Sequence, residues 1–182
     1  MGKIKYLSDA NIENKRVLLR VDYNVSMDKS HKISDDARIR QSIPTIRKLL
    51  PNNKIIIVSH LDRPKGRDPE LSLEPVVEWL KTYLPETKIT LVDDFETADK
   101  TIFEDQKNDE ILVLENIRFY KGEDENDPIF AKKLADLGDV YVNDGFAVSH
   151  RASASIVGIP QYLPAYCGIS AFPRLVSGGC CL

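Results

Sequence analysis

The chain carries little cysteine, no long apolar run and no excess of positive charge. Each shortage closes a class of explanation. The three cysteines, Cys167, Cys180 and Cys181, all fall in the last segment. An odd count argues against a disulfide framework, and their spacing fits no zinc motif, so no metal site is expected. The terminal Cys180-Cys181-Leu182 is not a C-a-a-X lipidation box. No stretch approaches the ~20 apolar residues of a membrane span. Met1-Gly2-Lys3-Ile4-Lys5 lacks the apolar core of a signal peptide. A cytoplasmic chain with no membrane partner is the expectation. The net charge of −3 gives no general pull toward nucleic acid. Anion binding, if present, must come from a local cluster of positive charge. Neither G-x-G-x-x-G nor G-x-x-x-x-G-K-[ST] occurs, and Gly178-Gly179 fits neither pattern. No nucleotide site is legible by motif.

What is present is a run of strands that end in chemistry. The 182 residues, 42% apolar and 29% charged, suit one soluble domain with a real core. Val17-Leu18-Leu19-Arg20-Val21-Asp22-Tyr23-Asn24-Val25 begins as a β-branched, buried strand and turns polar at Asp22 and Asn24. Further apolar strands are expected at residues 54–59, 88–92, 111–114 and 140–142. Helical patterns lie between them. Ser34-Asp35-Asp36 looks like a capped helix start, and the helix it opens should kink or restart at Pro44. Ser72 with Pro75 opens a second helix, and a weaker one covers residues 97–104. Residues 27–32 and 122–127 read as polar loops. Asp127-Pro128 caps a helix that Gly138 closes. Strand and helix alternate, which predicts right-handed βαβ units and a mostly parallel sheet with helices on both faces.

In such sheets ligands sit outside the carboxyl ends of the strands. Asp22 and Asn24 follow the first strand, His60 and Arg63 the second, Arg118 the fourth, and Arg151 comes soon after the fifth. Arg38 opens the first helix on the same edge. A lone arginine is usually a solvated surface group, and a lone histidine a hydrogen-bonded loop residue. Recurrence after strand upon strand argues for an anion pocket instead. Arginine binds phosphate or carboxylate bidentately and stays charged at any working pH. A small, multiply charged, hydroxylated acid would suit this set. Lys65 and Arg67 have no such support and read as surface charge.

Arg20-Val21-Asp22-Tyr23-Asn24-Val25, Asp36-Ala37-Arg38-Ile39, Pro44-Thr45-Ile46, Ser59-His60-Leu61-Asp62-Arg63-Pro64-Lys65-Gly66 and Leu114-Glu115-Asn116-Ile117-Arg118-Phe119 closely resemble the amino-terminal domain of the phosphoglycerate kinase family. The order and spacing agree, from about residue 4 to residue 168. The resemblance implies an α/β, Rossmann-like three-layer sandwich, here a single domain. It implies the glycolytic transfer of a phosphoryl group between 1,3-bisphosphoglycerate and ADP, giving 3-phosphoglycerate and ATP, by a monomer. It places Asp22 and Asn24 near the substrate's hydroxyl and carboxylate. It gives His60, Arg63, Arg118 and Arg151 to the patch that holds the non-transferred phosphate. Arg38 resembles the catalytic arginine that stabilises the phosphoryl group in flight. Mg-ADP or Mg-ATP is bound by the family's second domain.

Two departures stand out. The family usually has Gly where Asp62 stands, and the second histidine of its Ala-His-Arg-Ala-His run is Ser153 here. After Leu163-Pro164-Ala165-Tyr166-Cys167-Gly168, residues 169–182 do not read as family sequence, and Pro173 and Gly178-Gly179 do not suit its helix. The expectation is a phosphoglycerate-binding domain at 1–168, an irregular tail at 169–182, and a truncated chain inactive alone. A non-catalytic anion-binding module, or the relic of an incomplete gene, is the competing class. A dinucleotide oxidoreductase is disfavoured by the missing glycine fingerprint.

Overall fold

The computed structural model describes residues 5–170. In chain order these form β1 (Arg16–Arg20), β2 (Ser26–Met27), β3 (Ile33–Asp35), α1 (Ala37–Leu49), β4 (Lys54–Val58), α2 (Glu74–Tyr83), β5 (Lys88–Val92), α3 (Thr101–Glu104), β6 (Glu110–Leu114), α4 (Lys121–Asp124), α5 (Pro128–Ala135), β7 (Val140–Asn143) and β8 (Ala165–Cys167). Six strands make one wholly parallel sheet in the order β5-β6-β4-β1-β7-β8. β2 and β3 form a separate antiparallel ribbon.

The continuous apolar runs are explained by cover on both faces. Val17, Leu19, Ile55, Ile57, Ile111 and Val113 point to one face, where they meet Ile39, Ile43 and Ile46 of α1 and Val76, Val77 and Leu80 of α2. Leu18, Ile56, Val58, Leu112, Leu114 and Tyr141 point to the other, against Phe95, Phe103 and the α5 residues Phe130, Ala131 and Leu134. This period-two division makes three layers.

Several expectations need correction. Ser34 does not cap α1; it lies in β3, and its hydroxyl donates to the Ser26 carbonyl at 3.0 Å. Pro44 does not restart the helix, which runs unbroken from Ala37 to Leu49. Its missing N–H costs one bond to the Arg40 carbonyl. The buried stripe of Ile39, Ile43, Ile46 and Leu49 holds both halves of the helix to the same sheet face, which outweighs that loss. The weak helix at 97–104 shrinks to Thr101–Glu104, and Asp99 accepts from the Thr101 N–H at 3.0 Å just before it. The acidic stretch at 122–127 is not all loop, for α4 occupies its start. A sixth sheet strand, β8, also appears. The tail expected at 169–182 falls mostly on residues outside the described ones. Ile169 and Ser170 are described, and their N–H groups donate to Thr45 Oγ1 at 3.1 Å and Asp144 Oδ1 at 2.9 Å.

Register sets the functional edge. Arg20 pairs with Val58 on one side and Asn143 on the other, and Val92 pairs with Leu114. The strands therefore end level, and the loops that follow them share one rim. β1 leads to β4 on one side, whereas β7 leads to β8 on the other. The crevice between the ends of β1 and β7 is a topological switch point, the favoured place for a ligand in such sheets.

Candidate functional site

Three buried side chains hold the rim loops in place. Ser59, just past β4, accepts from the Tyr23 N–H at 2.9 Å and donates to the Val21 carbonyl at 3.0 Å, tying two loops together. Asn116 accepts from the Leu61 N–H at 3.2 Å and donates to the Leu61 and Leu71 carbonyls at 2.7 and 3.0 Å. Glu115 accepts from the Ser72 hydroxyl at 2.6 Å and the Leu73 N–H at 2.8 Å. Buried polar atoms that are all paired give a loop one conformation rather than several.

On this frame sit the expected residues. Asp22, half-buried, is paired with the exposed Arg38 at the first turn of α1. Asp22 Oδ1 also accepts from the Asn24 N–H at 3.1 Å, and Asn24 Oδ1 accepts from the Asp62 N–H at 2.8 Å. Arg118 is buried, with 5% of its side chain exposed; it donates to the Asp62 carbonyl at 2.6 Å and lies 3.7 Å from Asp124. Burial and the neighbouring Arg151 push its guanidinium below the usual arginine range. Arg63 is exposed on the rim one residue beyond Asp62.

His60 is the centre of the cluster. It is 1% exposed. Burial, then the positive charges of Arg20, Arg118, Arg151 and Arg38, push its pKa down to about 2. The ring is therefore neutral at working pH, and the cluster's charge resides in its arginines. The charges of Arg38, Arg118 and Arg151 thus all bear on one ring.

The departure at position 62 has a local cause. Asp62 has a positive φ of 53°, the left-handed region that glycine enters without penalty and Asp tolerates better than most. Its backbone does the joining, through its N–H to Asn24 and its carbonyl to Arg118. Its carboxylate makes no ion pair among the described residues, so the position is used for its main chain.

Two residues escaped the sequence reading. Arg20 ends β1 and is fully buried on the Leu18 face, donating from Nε to Ser155 Oγ at 2.9 Å. A lone arginine inside an apolar run was the available signal, since a buried guanidinium requires partners. Asp144, just past β7, is buried and accepts from the Ser170 hydroxyl at 2.6 Å. With Asp22, Arg38, Ser42, Phe146 and Ser170 it lines a cleft of about 250 Å³ at the switch point.

The family model described as phosphoglycerate kinase matches residues 7–172. The phosphoglycerate kinase of Dictyoglomus turgidum is 46% identical over 164 residues, covering 90% of this chain and 41% of its own length. That of Aquifex aeolicus is 46% identical over 170 residues, covering 92% of this chain and 43% of its own. Among solved structures, phosphoglycerate kinase from Coxiella burnetii superimposes with a TM-score of 0.84 at 35% identity, over 95% of this chain and 43% of that one. The Pyrococcus horikoshii enzyme gives 0.81 at 32% identity, over 96% and 44%. The chain spans about two-fifths of the length of the relatives it matches.

Proposed function

This chain belongs to the phosphoglycerate kinase family, and from that premise we propose that its basic rim binds the phosphoglycerate partner in the family's reaction. The reaction is reversible phosphoryl transfer between 1,3-bisphosphoglycerate and ADP, giving 3-phosphoglycerate and ATP. The observation that carries the reading is the hydrogen-bonded run from Arg38 through Asp22, Asn24 and Asp62 to Arg118 beyond the strand ends. The acid has a carboxylate, a hydroxyl and a phosphate, and the rim answers with guanidinium groups, a carboxylate and an amide. Asp22 and Asn24 meet the hydroxyl and carboxylate end. His60, Arg63, Arg118 and Arg151 hold the phosphate that stays.

The arginines differ in a way that supports distinct roles. Arg118 is buried and bonded to backbone, which suits a phosphate held in one place throughout. The Arg38 side chain is 43% exposed and held only by Asp22 among the described residues. It can swing from that carboxylate to a phosphoryl group in transit. Such transfers depend on positioning and on charge placed where charge develops.

In this reading Mg-ADP or Mg-ATP supplies the other reacting phosphate. Among the described residues no cluster of His, Cys, Asp or Glu is placed to hold a metal. The sequence also has no glycine-rich phosphate loop. In this reading the nucleotide belongs to the family's second domain rather than to this rim. Residues 1–182 by themselves are proposed to bind the acid without turnover, as a cytoplasmic monomer with its domain at 1–168.

Amide correlation spectra of the 15N-labelled chain test the site. Added 3-phosphoglycerate is expected to move signals at residues 22–24, 60–63, 116–118 and near 151. Shifts confined to the opposite end of the sheet, or none, would overturn the reading.

A further inference from the structure

Behind the positive rim lies one carboxylate that no substrate would touch. Glu123, in the short α4, is 2% exposed. Both its oxygens are taken by Ser155: Oε2 accepts from the backbone N–H at 2.8 Å and Oε1 from the hydroxyl at 2.6 Å. Ser155 is fully buried in the π-helical turn Ala154–Gly158, a widened turn that lets N–H and hydroxyl face the same carboxylate. Its single hydroxyl proton goes to Glu123, so its lone pairs are left to accept from Arg20 Nε at 2.9 Å. Arg20 in turn donates from Nη1 to the Val21 carbonyl and stands with Nη2 3.2 Å from His60 Nδ1.

Each link in this chain has one possible direction. A guanidinium donates and cannot accept. His60 Nδ1 must therefore hold a lone pair toward Arg20, and the ring proton must sit on Nε2. Arg20 could make this bond in other postures if it were free to turn. It is not free, because its Nε is held by Ser155 and Ser155 is held by Glu123. Burying a guanidinium this deeply also requires a nearby negative charge, and Glu123 provides it. After Asp124, the same carboxylate partly opposes the repulsion that Arg118 receives from Arg151 and Arg20.

We infer that Glu123, acting through Ser155 and Arg20, is a positioning residue for the rim: it fixes His60 as the neutral Nε2–H tautomer, a hydrogen-bond donor rather than a base. The identity of the ligand that meets this donor rests on the functional reading above; the tautomer does not.

The test separates the two. Two-bond 1H–15N spectra of the histidine rings in the ligand-free chain are expected to show His60 in the Nε2–H form. In Ser155→Ala the ring should exchange between tautomers, and 3-phosphoglycerate binding should weaken on the order of tenfold, the scale on which an oriented histidine loses function with its outer partner. Glu123→Gln keeps the size of the side chain and removes the charge, and it should move the ring in the same direction. Gln106→Leu is the control. Gln106 is buried and donates to the Ile55 and Glu110 carbonyls at the opposite end of the strands. It should lower stability and leave the ring unmoved. A wild-type ring protonated on Nδ1 would overturn the inference. So would Ser155→Ala and Glu123→Gln spectra that match the control. If the ring behaves as expected and 3-phosphoglycerate does not bind, the functional reading falls while the positioning role stands.

Discussion

Arg118→Ala is expected to weaken 3-phosphoglycerate binding by about 10- to 100-fold, or about 1.5–3 kcal/mol for a lost hydrogen bond to a charged group. The same change should lower stability by about 1–3 kcal/mol, because the Asp62 carbonyl loses its buried donor. Arg38→Ala makes the contrast. Its side chain is 43% exposed and its pair with Asp22 lies near solvent, so its stability cost should stay below about 1 kcal/mol. Its effect on binding the acid should be smaller than that of Arg118, since it is assigned to the group in transit. Arg118→Lys should not restore binding, because an ammonium cannot serve the Asp62 carbonyl and a phosphate in the same fork geometry. Calorimetric titration and urea unfolding of the variants check this. Equal stability losses for the two alanine variants, or unchanged affinity in Arg118→Ala, would contradict the assignment.

A second large effect should appear in mild acid. His60 has its pKa lowered from 6.5 to about 2 in the folded chain. Between those values the unfolded state binds a proton that the folded state refuses. Stability from this group is therefore complete above pH ~6.5 and falls as pH drops toward the folded value, by about 1.4 kcal/mol per pH unit. At pH ~4.5 the loss should reach about 2–3 kcal/mol. Asp28, Asp94, Asp99 and Glu110 have lowered pKa values, each led by a hydrogen bond to its carboxylate. Their contributions are present above the ordinary carboxylate range and are lost only below it. From pH ~6.5 down to ~4.5 the loss from His60 therefore leads among these groups. His60→Gln keeps an acceptor for Arg20 and cannot titrate, so its urea midpoint should stay flat where the parent's declines. Parallel curves for the two would show that the ring is not held neutral.

The parts of this molecule that were legible in sequence are those where one force decides. Strands β1, β4, β5, β6 and β7 follow from apolar runs, because a parallel sheet covered on both faces tolerates little else. The polar residues after them follow from topology, which is why Asp22, His60, Arg118 and Arg151 could be brought to one rim without coordinates. What could not be read depends on partners distant in the chain. β8 is three residues of ordinary composition and becomes a strand by pairing with β7, with one further bridge from Cys167 to Tyr6. α4 carries Gly122 and acidic side chains, and reads as loop. Gly122 lies where a Cβ would stand 2.7 Å from the Phe130 Cβ, so tertiary packing selects it. On propensity alone Pro44 should kink or restart the helix, yet over the buried stripe α1 runs unbroken. Arg20 signals only that it needs partners, and nothing local marks Ser155 and Glu123 as those partners. Their meaning lies in hydrogen bonds spanning 135 and 32 residues, which no local pattern reveals.

The most direct measurement is a calorimetric titration of the 182-residue chain with 3-phosphoglycerate, set beside glycerate and inorganic phosphate, at low and high salt. Saturable one-to-one binding is expected for 3-phosphoglycerate, with affinity at least tenfold above either fragment, because both ends of the acid are gripped. It should weaken with salt less steeply than a surface cluster would, since Arg118 is buried. No saturable heat with 3-phosphoglycerate, or binding no tighter than inorganic phosphate, would contradict the assignment of this rim to phosphoglycerate.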